Sequence, residues 1–95
     1  MNEVDLRTRV LLTMQVALLG MVTPSMRAVS VSWSESAVRF RVFFDRQVDA
    51  EITSEIETEV MSHLPSQVVR GIAEITGGQA RAPEPGEVFV FRRAE

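Results

Sequence analysis

Hydrophobic positions along the chain repeat with two different periods, and each period predicts an element. Over residues 4–22, Leu11, Met14, Leu18 and Met21 recur at the three–four–three spacing of one helical face, with Val10 and Ala17 beside them. Leu12, Val16 and Leu19 widen that stripe well beyond a single seam. Contact with a sheet and a second helix would account for the width, and so would self-association. Asn2 and Asp5 are candidate caps, and Glu3 and Asp5 suit the positive end of the helix dipole. Gly20 followed by Pro24 predicts the stop, because glycine accepts the left-handed cap and proline cannot continue a helix.

The period then drops to two. Val29, Val31 and Trp33 alternate with Ala28, Ser30 and Ser32, and Val38, Phe40, Val42 and Phe44 alternate with Arg39, Arg41 and Phe43. The short polar Ser34-Glu35-Ser36 between them predicts an antiparallel hairpin. One face is apolar and belongs on the helices. The other, with Ser30, Ser32, Arg39, Arg41 and Phe43, reads as a solvated face.

A second helix is predicted over residues 49–64, from Asp49 as N-cap to Pro65 as terminator, with Ile52, Ile56 and Val60 on one stripe that His63 or Leu64 completes. Residues 67–76 and 87–92 read as further strands, separated by a loop over 77–86 that is long for a hairpin. The order is α-β-β-α-β-β. It predicts one domain over residues 1–95, of α+β class: a two-layer sandwich with a four-stranded antiparallel sheet of two hairpins and two helices on one face.

Two other readings of the first segment fail. The apolar run over residues 10–22 is far short of the roughly 20 residues a membrane span needs. A secretory leader would need a basic start, but Glu3 and Asp5 cancel Arg7 and Arg9, and no small-x-small cleavage pattern follows. The expectation is a cytoplasmic protein without a membrane partner.

Composition narrows the chemistry more than any motif does. The 95 residues contain no Cys and no Tyr, and all 10 basic residues are Arg. Thiol nucleophiles, disulfides, Cys-built zinc sites and Schiff-base lysines are thereby excluded. His63 is the sole imidazole, and its place near the end of an acidic helix suits a surface role. None of the serines lies in a G-x-S-x-G elbow. Glu59 precedes His63 by four positions rather than the three of a di-metal carboxylate motif. Gly77-Gly78 has neither the Lys nor the strand-to-helix setting of a phosphate loop. The chain reads as non-enzymatic, with no cofactor and no metal.

Charge is distributed unevenly. Asp45, Asp49, Glu51, Glu55, Glu57 and Glu59 stand against Arg46 alone, so this stretch carries −5 while the whole chain carries −3. The remainder is therefore net basic. Either the acidic helix is a solvated face that aids solubility, or it docks on a basic partner, where charge complementarity speeds encounter and selects the partner. Asp49, Glu51, Glu55, Glu57 and Glu59 are the candidate contact residues, with Arg39, Arg41 and Phe43 on the open sheet face as a second cluster. The overall acidity argues against a nucleic-acid partner.

One longer run carries a resemblance. The stretch from Ala17-Leu18-Leu19-Gly20 through Thr23-Pro24-Ser25-Met26-Arg27-Ala28-Val29 to Trp33 is followed by Phe40-Arg41-Val42-Phe43-Phe44-Asp45. Glu57-Thr58-Glu59-Val60 before Pro65, then Pro83-Glu84-Pro85 and Phe89-Val90-Phe91-Arg92-Arg93, complete the pattern. It resembles small bacterial immunity proteins associated with polymorphic and contact-dependent growth-inhibition toxins. Where that group has an acidic segment and an Asp-Tyr-Pro, this chain has Gly77-Gly78-Gln79. The resemblance implies a protein that binds and neutralises a toxin, and the acidic helix adds the expectation of a basic surface on that partner. The alternative is a small homo-oligomeric assembly domain, a homodimer through the first helix or the open sheet, without inhibitory activity.

Overall fold

The first hydrophobic period folds as α1 (Glu3–Leu18) in the computed structural model, which describes residues 3–76 and 84–93. Leu6, Val10, Met14, Ala17 and Leu18 face the core. The helix closes with Leu19 N–H donating to Val16 O at 3.1 Å and Met21 N–H donating to Leu18 O at 3.0 Å. Gly20 sits between them at φ 76, the left-handed region that makes glycine the natural terminator. The expected cap Asn2, Gly77-Gly78 and the expected 77–86 loop lie outside the described residues, apart from Glu84, Pro85 and Gly86 at that loop's end.

The alternating segments form β1 (Met26–Trp33) and β2 (Ala37–Phe44), an antiparallel hairpin closed by Ser34 N–H donating to Ala37 O at 2.8 Å. Next comes α2 (Ala50–His63), capped by the Asp49 carboxylate, which accepts from Ile52 N–H at 3.0 Å. Ile56, Val60 and Leu64 fill the core side of α2, and Leu64 rather than His63 completes the stripe. Val29, Val31, Val38, Phe40, Val42 and Phe44 meet both helices from one face of the sheet.

The last third corrects the expected topology. β3 (Val68–Ile75) pairs with β2 in parallel, Val38 opposite Val69 and Val42 opposite Ala73, so α2 is a crossover between parallel neighbours. β4 (Val88–Arg92) pairs antiparallel with β1 at the far edge. The sheet order is β3-β2-β1-β4 and the sheet is mixed, not wholly antiparallel. β3 and β4 lie on opposite edges and form no hairpin. Residues 76–87, twelve positions, separate them, more than a tight antiparallel hairpin needs.

Gly71 on β3 makes the central packing close. A Cβ added there would fall 2.4 Å from Phe40 Cζ, so the ring occupies the space a side chain would need. Register puts the two opposite each other across the parallel ladder.

The second face of the sheet also departs from expectation. Ser30, Arg41 and Phe43 are buried, whereas Arg39 is exposed. The reason is that β4 and the turn before it bring Glu87 onto this face against Arg41 and Ser30, and Phe89 beside Phe43.

Candidate functional site

Most of the acidic stretch is committed to holding the fold. Asp45 lies at the end of β2, where its carboxylate meets Arg27 Nε at 3.0 Å and Arg93 Nη1 at 3.9 Å. Asp49 caps α2. The Glu57 carboxylate accepts from Gly71 N–H at 2.7 Å, which ties α2 to the edge strand. Glu59 faces His63 one turn on, at 3.8 Å, with both side chains about half exposed. Glu51 and Glu55 remain: both are exposed, and neither has a bonding partner among the described residues.

The sheet-face cluster separates in the same way. Arg41 Nε and Nη2 form a two-pronged bond with the Glu87 carboxylate, each arm 2.7 Å. Nη1 reaches Glu74 at 3.0 Å and Glu84 at 3.6 Å. Ser30 Oγ donates to Glu87 at 2.7 Å, and Glu84 N–H donates to it at 3.0 Å. The guanidinium also lies 5.0 Å from the Phe43 ring centre, and Phe43 meets Phe89 at 6.5 Å between ring centres. The Arg41 bond holds the Glu87 carboxyl down at about 2, against the upward push of burial, with help from the Glu84 N–H and the Ser30 hydroxyl. The same pair raises Arg41 above its ordinary range. Arg41 and Phe43 are thus placed in the interior, and Arg39 is the member of that trio that reaches solvent.

Sequence reasoning missed Glu74, Glu84 and Glu87 as partners of Arg41. Glu87 follows Arg41 by 46 positions and meets it only because β4 lies on the far side of β1, which no local pattern encodes.

No group of three or more His, Asp or Glu among the described residues could hold a metal ion. Among the described residues no helix is long and apolar enough to cross a membrane. The concavities are shallow. One lies at the start of α2, and another runs from Met21 along Ser54, Glu55, Thr58 and Glu59.

The chain is thus a small two-layer α+β domain in which many of the described ionic groups are engaged internally and small exposed patches remain. Residues 7–95 match the MafI2 immunity protein family, and the chain belongs to that family. The resemblance to immunity partners of polymorphic toxins therefore holds at the level of the family. Among solved structures the chain is similar to one in the tri-AMPylated Shewanella oneidensis HEPN toxin in complex with MNT antitoxin. The identity is 15% and the TM-score 0.47, over 67% of this chain and 55% of that one. The chain thus spans about half the length of that protein. Comparison with curated proteins gives no match.

Proposed function

We propose that the protein neutralises its toxin in the cytoplasm by docking the outward side of α2 on a basic surface of the toxin domain. The observation that carries this reading is the pair Glu51 and Glu55, one helical turn apart, exposed and unbonded among the described residues. Two like charges at that spacing cost the isolated helix a few tenths of a kcal/mol, which the fold does not recover and a basic partner would. Glu59 and the shallow groove beside Ser54 and Thr58 extend the contact. Asp49 and Glu57 serve it indirectly, by capping the helix and anchoring it to β3. Arg39 lies on the opposite layer, beyond a partner that covers α2, and Arg41 and Phe43 keep that layer in place.

Charge reversal tests this reading. Glu51→Arg with Glu55→Arg is expected to weaken binding to the toxin encoded next to this gene by about 100-fold at low salt, and to flatten its salt dependence. Unchanged affinity would move the contact off α2. Persistent lethality of that toxin when co-expressed with the wild-type protein would remove the inhibitory role altogether.

A further inference from the structure

On the sheet face turned away from the helices, two arginines stand side by side. Register sets Arg39 of β2 directly opposite Arg70 of β3 across the parallel ladder, and both are exposed. The next pair along, Phe40 and Gly71, meets in the core, so alternation sends both arginine side chains outward. Arg41, two positions on, is held by Glu87, Glu74 and Glu84. Neither Arg39 nor Arg70 has a side-chain partner among the described residues. Ser32 lies opposite Arg39 on the other side, so no acid enters this row from β1. Like charges directly opposite each other on neighbouring strands weaken a sheet. A charge on the edge strand β3 does discourage strand addition, but a Glu at either position would do so and pair with the other. The matched sign is a cost that the fold leaves in place and an anionic partner would relieve.

The surroundings select the kind of anion. The concavities beside the helices include neither arginine, so the pair suits a surface contact rather than an enclosed small ion. A nucleic-acid strand carries phosphates in an unbroken run and would have to pass carboxylates here. Glu74 and Glu84 stand beside Arg41 at one end of the pair, exposed Glu35 lies in the turn at the other, and the whole chain carries −3. A protein segment can instead present two carboxylates and nothing further. Adjacent strands hold the two guanidiniums about 4.8 Å apart at the backbone, close to the roughly 5–6 Å between carboxylate-bearing positions one helical turn apart. Each guanidinium can take one carboxylate in a two-pronged bond. Val68, 67% exposed, and half-buried Ile72 flank Arg70 on the same face and add apolar area to the contact.

We infer that Arg39 and Arg70 form a docking site for an acidic segment of a protein partner, one carboxylate to each arginine. The site lies on the layer opposite Glu51 and Glu55, so it stands or falls separately from the docking of α2 on a toxin.

The experiment uses the full chain, labelled with nitrogen-15, with no toxin present. Titration with an octaglutamate peptide at low salt should move the side-chain Nε–H signals of Arg39 and Arg70 and the amide signals of residues 68–72. Arg39→Gln with Arg70→Gln should weaken the peptide at least about tenfold, and added salt should weaken its binding to wild type. Arg70→Gln alone removes the like-charge contact, so its thermal midpoint should be no lower than that of wild type. Peptide binding that leaves the two arginine signals unmoved, or that survives the double substitution, overturns the inference. So does a lowered midpoint for Arg70→Gln, which would make the pair part of the fold's own support. A DNA oligonucleotide of equal charge that binds the pair as tightly as the peptide would give the surface to nucleic acid instead.

Discussion

The Arg41–Glu87 pair supports a quantitative prediction for Glu87→Gln. The substitution keeps the shape of the side chain and removes its charge, leaving Arg41 buried with Glu74 at 3.0 Å and Glu84 at 3.6 Å as its remaining carboxylates. In the unfolded chain the Glu87 carboxyl returns to its ordinary value of 4.5, whereas in the fold it lies at about 2. Its folded pKa is depressed, so its contribution is fully present above the unfolded value and is lost as pH falls through the folded one. That difference corresponds to about 3 kcal/mol at pH 7, falling to roughly 1 kcal/mol at pH 3 and to well under 1 kcal/mol at pH 2. Urea unfolding of wild type and variant at matched pH measures it. The variant should be less stable by about 3 kcal/mol at neutral pH, and the gap should close between pH 5 and pH 2. A variant as stable as wild type at pH 7, or a gap that does not change with pH, would refute the reasoning. Removing both partners together should cost less than removing Glu87 alone, because no buried guanidinium is then left short of a carboxylate.

Two further substitutions probe how the helices and sheet are joined. Gly71→Ala places a methyl group 2.4 Å from Phe40 Cζ in the centre of the core, and is expected to destabilise by roughly 2–3 kcal/mol in the same urea assay. Asp49→Ala removes the acceptor for Ile52 N–H and should cost about 1 kcal/mol, while Asp49→Asn, which retains an acceptor, should cost much less.

What could be read from the sequence was the local part. Both helices, the β1–β2 hairpin, the Asp49 cap and the Gly20 stop follow from periodicity and terminal residues, and each lies within the reach of a few neighbouring positions. The parallel entry of β3 depends instead on where α2 delivers the chain, so it had no local signature. The same holds for the second sheet face. Arg41 and Phe43 alternate with core residues as solvent-facing positions do, yet Glu87 and Phe89 from β4 enclose them. In the acidic stretch, sequence located the charge but could not separate carboxylates with internal bonds from free ones. The Gly71 N–H that engages Glu57 and the arginines that engage Asp45 come from other elements. The broad stripe of α1 allowed burial on two sides, and the described residues supply cover on only one.

A sheet with two edges must keep both from pairing with other chains, and here each helix contributes one polar side chain to that task. Gln15 Nε2 of α1 donates to Val90 O on β4 at 3.1 Å, and Glu57 of α2 accepts from Gly71 N–H on β3 at 2.7 Å. Each bond occupies one main-chain group of an edge strand and disfavours strand addition there, while the outward helix surfaces stay open among the described residues. Those surfaces differ in kind. The exposed carboxylates of α2 gain from a basic partner, and desolvating them without one would be costly, whereas the α1 stripe carries no charge to desolvate. Because the acidic and apolar groups sit on different helices, a contact on the α1 stripe would leave Glu51 and Glu55 in water. Had the same residues been interleaved along one helix, any apolar contact would have desolvated carboxylates beside it. The placement of charge on α2 and its exclusion from the α1 stripe therefore keep the two outward surfaces chemically distinct, so that a contact on one need not desolvate the other.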